Sequence, residues 1–353
     1  MGLALNQAKR MLGNTKENPA VGCIIANKKS AISAGSTQFN GRPHAEFNAI
    51  KFSKFDLKNS NMYLTLEPCT HFGETPPCTN IIIKNKIKKV IFSSIDPDYR
   101  TYNKSSAILK NKNIRVKSGI LISKIKNLYR SYFLYKKKQL PFVTGKMAIS
   151  KDFFTVNKKD KLITNIFSRY RGHYLRSTHD CILTSINTVI MDNPKLTCRI
   201  PGLESTSPSR FIIDKELKIP TNSNLVKFSN KYKTFIFFNK VNKRKIKKLQ
   251  KNKIKLIKLP LNNEEHFDNK HILNHIKKFG YSRILLECGI NLTNKFLNDN
   301  LINDFYLFIS KDNIKKNGSK SFRYTINNFF GNKKFINEKV NLFGDKLISY
   351  KIK

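Results

Sequence analysis

The chain has 353 residues, of which 40% are hydrophobic, and at roughly 150 residues per domain it is long enough for about two domains with buried cores. Its apolar runs are short, and none approaches the ~18 residues needed to cross a membrane, so we expect no membrane association. The formal net charge of +44 would indicate a nucleic-acid partner if the basic residues were clustered, but they are spread along the whole chain. We therefore expect no nucleic-acid partner, and a basic surface of this kind also attracts small anionic substrates.

The N-terminal segment and the cysteine content both favour a reducing compartment. Residues 1–13 place apolar side chains at helical spacing around Lys9 and Arg10, and no small-residue cleavage site follows. This pattern predicts an amphipathic first helix rather than a signal peptide. Six cysteines in such a chain more often bind metal or take part in chemistry than form disulfides. We expect the protein to be cytoplasmic.

Strand-like and helix-like segments alternate through the first part of the chain. The pattern predicts a hairpin over 20–25 and 30–36, a helix over 44–53, a strand over 61–68, a helix over 77–86, a strand over 89–95, a helix over 104–113, a strand over 114–119 and a helix over 121–138. Pro141 follows the last helix, and proline cannot continue one. The sequence therefore predicts a layered α/β domain over residues 1–138 and a second domain over residues 141–353.

The second part also alternates between the two kinds of element. The pattern predicts strands over 142–150, 180–186, 210–214, 234–239, 254–259, 283–287 and 304–310, and helices over 165–179 and 292–299, with a proline-rich stretch over 194–220. This order is typical of a largely parallel sheet covered on both faces. No G-x-G-x-x-G sequence follows a strand, so a Rossmann domain is not supported.

Two short stretches of the first part, HAE at 44–46 and PCTHFGETPPC at 68–78, carry a candidate metal centre. Attack of water on a carbon that bears an amine needs activation at neutral pH. Zinc supplies it by lowering the pKa of a water toward ~7 when three protein ligands leave one position open. His44, Cys69 and Cys78 form such a set, and Glu46 is a carboxylate that can move protons without being a ligand. Pro43, which precedes His44, is suited to the first turn of a helix.

Zinc deaminases of nucleobases carry H-x-E followed by P-C-x-x-C, and this chain matches that signature with a longer gap of eight residues between the cysteines. The alternative is a surface His-Glu pair together with two buried thiols, or a closed structural zinc site. A closed site would need a fourth ligand, for which His71 is the one nearby candidate. His71 could equally be a loop residue or a substrate contact. The remaining cysteines lie in strand or loop contexts and are expected to be unreactive: Cys23, Cys181, Cys198 and Cys288.

The motifs HAE and LEPCTHFGETPPC, together with ENPAVGCII at 17–25, resemble the deaminase half of the bifunctional riboflavin-biosynthesis family. That family combines a diaminohydroxyphosphoribosylaminopyrimidine deaminase with a 5-amino-6-(5-phosphoribosylamino)uracil reductase. The resemblance implies a cytidine-deaminase-like α/β/α layered domain, a zinc ion, and a contact between Asn18 and the pyrimidine. The family's D-P-N-P and Gly-x-Gly turn reads DPDYRTYNKS here, which keeps Asp96 and Pro97 but has neither glycine.

The second part is similar to the reductase half of the same family, which has a dihydrofolate-reductase-like α/β fold and uses NADPH. The similarity is carried by KMAISKDF, LIT, LRSTHDCILTSINTVIMDNPKLTCR and LLECGINLTNKFLNDNLINDF. By position it implies cofactor contacts at Ala148, Thr188, Asp192 and Gly289. It also implies substrate contacts at Asp160, Arg176, Leu196, Arg199 and Glu287, with the arginines suited to a phosphate. The alternative for each is an ordinary surface, turn or helix-end role.

Several positions of the second part depart from the family pattern. Phe153 replaces a glycine in S-L-D-G, Leu162 replaces an aromatic residue that would border the cofactor, and Asp160 stands where a serine is usual. The late P-K-L-L-G-G segment reads SKDNIKKNGS over 310–319. These departures all concern the part of the chain for which the resemblance implies reductase activity.

The leading hypothesis is a bifunctional enzyme that deaminates a phosphorylated aminopyrimidine and then reduces its ribose to ribityl with NADPH. A second hypothesis keeps the deaminase and assigns the rest of the chain to structure or oligomerisation. A third is a nucleic-acid deaminase, which would gather basic and aromatic residues around the HAE pocket. We expect a small-molecule substrate and a homo-oligomer, either a dimer or a tetramer.

Overall fold

Two units, Met1–Leu140 and Pro141–Lys353, make up the computed structural model, which describes residues 1–28, 30–138, 140–160 and 162–353. Unit 1 contains five α-helices and five strands among these residues. They are α1 (Gly2–Arg10), β1 (Gly22–Ala26), β2 (Ala31–Ser36), α2 (Ala45–Lys51), β3 (Asn61–Leu66), α3 (Cys78–Lys84), β4 (Lys89–Ser94), α4 (Ser105–Lys110), β5 (Arg115–Lys117) and α5 (Ile122–Lys138).

The strands of unit 1 form one mixed sheet in the order β2-β1-β3-β4-β5. β1 is antiparallel to both β2 and β3, whereas β3, β4 and β5 run parallel. Parallel neighbours need a crossover, and α3 and α4 supply it between successive strands. The carboxyl ends of β3 and β4 therefore meet at one edge, where a carboxylate oxygen of Glu67 accepts hydrogen bonds from backbone N–H groups of the loop that follows β4.

Helices cover both faces of this sheet, and two glycines permit the closest approach. A Cβ on Gly22 would lie 1.9 Å from the Ala4 carbonyl oxygen of α1, and a Cβ on Gly35 would lie 2.3 Å from the Ala45 carbonyl oxygen of α2. Gly35 pairs with Cys23, the neighbour of Gly22, so the two glycines face opposite sides. The α/β/α layering predicted for this part is confirmed.

Unit 2 contains a larger set of elements. They are β6 (Phe142–Ile149), β7 (Phe154–Asn157), α6 (Ile166–Ser177), β8 (Cys181–Ser185), α7 (Ile186–Asp192), β9 (Ser209–Ile213), α8 (Asn224–Lys227), β10 (Thr234–Phe238), α9 (Lys243–Lys251), β11 (Lys255–Lys258), α10 (Asn269–Lys278), β12 (Arg283–Glu287), α11 (Ile290–Asn298), β13 (Asp304–Ile309), β14 (Gly318–Ser321), α12 (Arg323–Thr325), β15 (Phe335–Asn337) and β16 (Lys346–Lys351).

Nine of these strands form one sheet in the order β11-β10-β9-β8-β12-β6-β13-β16-β15. Every pairing from β11 to β13 is parallel, and β16 and β15 add two antiparallel pairings at one edge. β7 and β14 form a separate two-stranded sheet. The predicted parallel sheet is confirmed, and its antiparallel edge comes from C-terminal strands that the sequence pattern did not predict.

Both faces of the large sheet are buried because successive strand residues enter different cores. Phe211 and Phe237 pack with α10 and α11 through Ile276 and Phe296 on one face. Ile212, Ile236 and Phe238 pack on the other face with α6, α7, α8 and α9, through Leu175, Val189, Leu225 and Leu249. This alternation explains the near-continuous apolar runs of the central strands.

In the described part of the chain, no helix combines the length and the apolar character that a membrane span requires. The longest one, α5, has 17 residues and carries lysines along its length.

Candidate metal centre and second functional site

Three potential ligand atoms converge in unit 1. A ring nitrogen of His44 and the sulfurs of Cys69 and Cys78 all lie within 4.8 Å of one another. His44 Nδ1 is 3.3 Å from Cys78 Sγ and 3.7 Å from Cys69 Sγ. Two ligands bound tetrahedrally to zinc at about 2.0 Å for nitrogen and 2.3 Å for sulfur are separated by roughly 3.5 Å. The nitrogen and sulfur donors and their spacing therefore fit one zinc ion.

Each ligand is positioned by the end of a regular element. His44 is the residue that precedes the first turn of α2 and has an extended backbone. Cys69 follows the end of β3, and Cys78 is the first residue of α3, from which its backbone N–H donates to Cys69 Sγ at 3.2 Å. The expectation that Pro43 lies in the first helical turn is wrong, because α2 begins at Ala45 and Pro43 precedes the helix.

The loop between the two cysteines is tied to the segment before His44. Arg42 Nη1 donates to Thr75 Oγ1 at 2.7 Å, and Arg42 Nε lies 3.0 Å from a carboxylate oxygen of Glu74. Glu74 is largely exposed, so the ion pair itself contributes little to stability. The contact nevertheless connects the two segments that carry the ligands.

The protonation states of the ligands are coupled through hydrogen bonds. A hydrogen bond from Cys78 is the largest cause of a Cys69 pKa of about 4, and His44 contributes further. The hydrogen bond to Cys69 and burial raise the pKa of Cys78. The hydrogen bond with Cys69 also raises the pKa of His44, despite its burial. The site is thus already poised to hold one thiolate, and metal ligands of these types bind in their deprotonated forms.

Glu46 lies beside the three ligands without being one of them. It is in the first turn of α2, is 4% exposed, and hydrogen-bonds with the thiol of Cys78. Burial raises the pKa of Glu46 to about 7. A carboxyl group with a pKa near the working pH can both accept and return a proton, which is what a proton shuttle needs.

His71 and Asn18 have separate places near this centre. His71 Nδ1 is 3.1 Å from Thr101 Oγ1, and His71 does not belong to the group of converging ligand atoms. The role of a fourth zinc ligand, which a closed structural site would require, is therefore not supported for His71. Asn18 packs against Gly41, where an added Cβ would lie 2.2 Å from the Asn18 side-chain nitrogen. Asn18 thus adjoins the segment that leads to His44.

Burial of Glu67 organises the loop after β4, a feature that the sequence interpretation missed. Glu67 is 3% exposed and accepts hydrogen bonds from the backbone N–H groups of Asp96, Asn103 and Ser105, and from the Ser105 hydroxyl. Glu67 stands two residues before Cys69. The loop that lacks the family's two glycines is therefore fixed to the strand that leads to the first cysteine.

In unit 2, an ion pair joins two residues predicted to contact substrate. Arg176 on α6 donates from Nε and Nη2 to the two carboxylate oxygens of Glu287, both at 2.8 Å. Arg176 Nη1 also donates to the Thr197 carbonyl oxygen at 3.1 Å. Burial disfavours the ionised form of Glu287, but Arg176 overcomes this and brings the pKa of Glu287 to about 2. Glu287 is therefore a carboxylate at neutral pH.

Two residues that surround this ion pair were missed by the sequence interpretation. His173, one helical turn before Arg176, has Nδ1 at 2.8 Å from the Thr197 carbonyl oxygen, and burial lowers its pKa to about 4. Lys146 lies in β6 opposite Glu287, and burial lowers its pKa while Glu287 opposes that effect. A single lysine within the apolar strand of β6 was the signal that could have identified Lys146.

The four residues predicted to contact the cofactor lie on three neighbouring parallel strands or directly after them. Ala148 is near the end of β6, Thr188 and Asp192 lie on α7 after β8, and Gly289 precedes α11 after β12. The backbone N–H of Thr188 donates weakly to Ser185 Oγ at 3.5 Å. A Cβ on Gly289 would meet no atom within 4 Å, so the backbone at this helix start is open. Carboxyl ends of parallel strands are where such folds bind ligands.

The other three residues predicted to contact substrate differ in their surroundings. Leu196 is 3% exposed and packs into the core with φ +52°, which leaves its backbone rather than its side chain for a contact. Arg199 is exposed, and repulsion by Arg176 adds to burial in lowering its pKa. Asp160 is exposed and accepts a hydrogen bond from Leu162 N–H at 3.0 Å within its own turn.

The altered family positions are connected to one another. Phe153 has φ +73°, so this chain adopts with phenylalanine the left-handed conformation that glycine adopts most readily. The ring of Phe153 packs against the core and lies 4.9 Å from the Arg323 guanidinium. Asp152 accepts hydrogen bonds from the N–H groups of Ile314 and Lys315 in the altered segment 310–319. The two departures from the family pattern therefore form one local structure.

Comparisons with known proteins match both units. The family of cytidine and deoxycytidylate deaminase zinc-binding regions matches residues 1–94, and the RibD C-terminal domain family matches residues 141–310. The riboflavin biosynthesis protein RibD of Aquifex aeolicus (strain VF5) is 32% identical over 312 residues, which cover 88% of this chain and 85% of the relative. RibD of Actinobacillus pleuropneumoniae is 30% identical over 312 residues, 88% of this chain and 82% of the relative.

Solved structures give the same result. RibD of Acinetobacter baumannii has a TM-score of 0.83 at 25% identity and covers 99% of this chain and 97% of its own. A Thermotoga maritima protein described as a diaminohydroxyphosphoribosylaminopyrimidine deaminase/5-amino-6-(5-phosphoribosylamino)uracil reductase has a TM-score of 0.81 at 25% identity, with coverage of 99% and 97%. The converging zinc-ligand motifs, the folds of the two units and these similarities agree. The chain therefore belongs to the RibD family of riboflavin-biosynthesis enzymes, which join a zinc-binding deaminase domain to an NADPH-dependent reductase domain.

Proposed function

We propose that unit 1 hydrolytically deaminates 2,5-diamino-6-(5-phosphoribosylamino)pyrimidin-4-one at a zinc ion held by His44, Cys69 and Cys78. The observation that carries this proposal is the convergence of three such ligand atoms within 4.8 Å. Three protein ligands on a tetrahedral ion leave one position for water, which is the arrangement of catalytic rather than structural zinc. Bound zinc would lower the pKa of that water and so make it a nucleophile at neutral pH.

Glu46 is the proposed catalytic residue of this step. Its buried carboxyl group, with a pKa of about 7, would accept a proton from the attacking water and return it to the departing amine. Asn18, which adjoins the segment before His44, would hold the pyrimidine. The role of Glu46 is supported by its burial and by its hydrogen bond with Cys78.

For unit 2 we propose NADPH-dependent reduction of the ribose of the deaminated product to ribityl. The cofactor would be held at the ends of β6, β8 and β12 by Ala148, Thr188, Asp192 and Gly289, and it would supply the hydride. The open backbone at Gly289 supports this placement, since a phosphate or ribose could approach it closely. Glu287, ionised and held by Arg176, would face the reacting ribose together with Leu196, Arg199 and Asp160.

We further propose that the enzyme works in the cytoplasm as a homo-oligomer, a dimer or a tetramer. Its substrate is a small phosphorylated pyrimidine, and the cysteines of the metal centre are free, as a reducing compartment requires. Light scattering of the purified chain at several concentrations would give the oligomeric state. A monomer at micromolar concentration would contradict the oligomer.

The proposal is tested by a two-stage assay of the purified protein with the phosphoribosylated diaminopyrimidinone as substrate. Ammonia release is measured first without NADPH, and NADPH is then added while its absorbance is followed. We expect ammonia in the first stage and NADPH oxidation only in the second. Ammonia without NADPH oxidation would leave a deaminase alone, and the absence of ammonia from the zinc-loaded protein would contradict the role of unit 1.

A further inference from the structure

Helix α10 of unit 2 carries two of the seven histidines of the chain, His271 and His275. They are four residues apart, which places their side chains one turn apart on the same face of the helix. Ile272 and Ile276, which follow them, are buried in the core on one face of the large sheet, whereas both histidines are half-buried. The pair therefore lies at the margin of the core, where a dissolved ion can reach the ring edges.

The two imidazole rings direct their Nε2 atoms at each other. These atoms are 3.2 Å apart, and the ring centroids are 4.9 Å apart. Two nitrogens bound to one transition-metal ion at about 2.0–2.1 Å, with about 90° to 109° between the bonds, are separated by roughly 2.9–3.4 Å. The observed distance lies within that range. An N–H···N hydrogen bond between two neutral rings gives a similar distance, so the alternative to a metal ion between the nitrogens is a single proton.

The protein orients this pair without any ion. The ring of His275 packs edge-on against the ring of Phe237, with the centroids 6.4 Å apart and the planes at 70°. Phe237 is itself fully buried in the core. The start of α10 is fixed by Asp268, whose carboxylate accepts a hydrogen bond from the Lys270 N–H at 2.8 Å. Ligands that are already oriented lose less conformational freedom on binding, which favours affinity.

The histidine pair shares no residue with the sites described above. α10 packs on the sheet face of Phe211 and Phe237, whereas α6, which carries Arg176, packs on the opposite face. Among the residues that the structure describes, the group of three converging ligand atoms is the one in unit 1. His271 and His275 would therefore supply two protein ligands and leave the other positions of an ion to water or to a small molecule.

We infer that His271 and His275 bind a divalent transition-metal ion of the Ni²⁺, Cu²⁺ and Zn²⁺ class through their Nε2 atoms. Imidazole is a favoured ligand of these ions, whereas Mg²⁺ and Ca²⁺ prefer oxygen. Two histidines at i and i+4 on a helix are also the pair through which H-E-x-x-H helices hold zinc. This site goes beyond the proposed deamination and reduction and depends on neither of them.

The charge around the pair narrows the choice of ion. The positive charge of Lys278 acts on His275, so it also opposes any cation bound there. An ion held mainly by electrostatic attraction to oxygen ligands is disfavoured at such a position. Ions that bind strongly to nitrogen offset this repulsion best, and among divalent ions the affinity for nitrogen sites rises from Ni²⁺ to Cu²⁺.

The test measures Ni²⁺ binding to the full chain by isothermal titration calorimetry, after the metal centre of unit 1 has been loaded with zinc. The wild type is compared with His271→Asn, His275→Asn and His266→Asn. His266 is a matched control because it is an exposed histidine in the loop before α10, and its backbone N–H is held by Asn262 at 2.8 Å. Mg²⁺ is titrated in parallel, and electron paramagnetic resonance of bound Cu²⁺ reports the nitrogen ligands.

We expect the wild type and His266→Asn to bind one more Ni²⁺ per chain than either variant of the pair, and Mg²⁺ to show no such difference. Loss of one imidazole should raise the Kd by at least about 10-fold, since loss of a group that merely supports a metal ligand costs about 10-fold to 100-fold. Splitting by two nitrogens should appear in the Cu²⁺ spectra of the wild type and His266→Asn and be lost in the other two. Ni²⁺ should also raise the melting temperature of the first two proteins more than that of the others.

Two outcomes would overturn the inference. Equal Ni²⁺ stoichiometry and affinity in the wild type and both variants of the pair would leave the N–H···N hydrogen bond as the role of the two histidines. Loss of the Ni²⁺ site in His266→Asn would move the site to the loop before α10. If His275→Asn fails to fold because it loses the contact with Phe237, the result for His271→Asn decides alone.

Discussion

The metal centre of unit 1 and the ion pair of unit 2 are assembled over different distances along the chain. His44 and Cys78 are 34 residues apart and stand at the starts of two helices of one α/β layer. Arg176 and Glu287 are 111 residues apart in the chain. They meet because Arg176 lies on α6, which leads into β8, and Glu287 ends β12, which lies beside β8 in the sheet. A short-range site can be recognised from motifs, whereas a long-range site depends on the whole fold.

The two sites also differ in whether their charged groups are balanced by protein side chains or by a bound ion. In unit 1, hydrogen bonds among His44, Cys69 and Cys78 lower the pKa of Cys69 and so favour its thiolate, whose negative charge a bound dication would balance. In unit 2, Glu287 and Arg176 neutralise each other without any ligand. Unit 1 should therefore be sensitive to loss of its metal, and unit 2 to loss of either partner of its ion pair.

Replacement of one cysteine ligand should abolish the deaminase completely. Cys69→Ala leaves two ligands, which hold zinc weakly, so we expect less than a tenth of the wild-type zinc content and no measurable ammonia. NADPH oxidation with the deaminated substrate should persist, since unit 2 has its own core. Metal analysis and the two assays are made on the same preparation.

The control for this variant is Cys181→Ala, which removes a buried thiol from β8 in unit 2. It should keep one zinc per chain. A Cys69→Ala protein that retains stoichiometric zinc and deaminates would contradict the ligand set.

Removal of the proposed proton shuttle should separate metal binding from catalysis. Glu46→Ala should keep zinc, because the three ligands remain, and should lower kcat for ammonia release by about 10²-fold to 10⁴-fold. Zinc content and steady-state kinetics check the two expectations. Deamination at the wild-type rate by Glu46→Ala would remove Glu46 from the mechanism.

Breaking the ion pair of unit 2 should destabilise that unit. Arg176→Ala leaves Glu287 buried without its partner, which costs about 3–5 kcal/mol of the free energy of unfolding. The double variant Arg176→Met with Glu287→Leu should recover most of this stability but not NADPH oxidation. Urea unfolding followed by circular dichroism measures the first effect. Equal instability of the single and double variants would show that the cost is not due to an unpaired charge.

Replacement of one carboxylate oxygen of Glu67 should lower the free energy of unfolding of unit 1 and leave the zinc ligands unchanged. In Glu67→Gln, an amide NH₂ would face two backbone or hydroxyl donors, and the unsatisfied groups should cost about 2–3 kcal/mol of the free energy of unfolding. Glu74→Gln, whose carboxylate is 82% exposed, is the matched control and should change stability by less than about 0.5 kcal/mol. Equal effects of the two substitutions would contradict the role of Glu67 in the loop.

The smallest expected effect depends on pH. Arg100, through its hydrogen bonds, holds the pKa of Asp98 well below its usual range, and Lys136 adds to this against the effect of burial. Because the pKa of Asp98 is lower in the folded state, its contribution to stability is complete above about pH 4, the pKa in the unfolded chain, and is lost as the pH falls below that value.

Asp98→Asn should therefore lower the free energy of unfolding by about 1–2 kcal/mol at pH 7. The difference from the wild type should shrink as the pH falls from 4 toward 2. Urea unfolding at several pH values measures this, and a difference that grows as the pH falls would contradict the assignment.

Much of the fold follows from local patterns, and the exceptions have physical reasons. The predicted strands and helices of unit 1 correspond closely to β1–β5 and α2–α5, since their apolar periodicity is strong. In unit 2, α9 was interpreted only as a lysine cluster, because a single residue of that helix, Leu249, is fully buried. β15 and β16 were also missed, since the pairing of β16 with β13 and of β15 with β16 is made by the tertiary fold.

From the sequence by itself we predicted the alternation of strands and helices along the chain, the three candidate zinc ligands and the role of Glu46, because each of these depends on residue types within one or two elements. Only the tertiary structure decided that Arg176 is committed to Glu287 and that Lys146 and His173 surround the pair. The reason is that the charge available for a ligand depends on which acidic and basic groups meet. In unit 2 those groups are separated by more than a hundred residues and are brought together only by packing on the sheet.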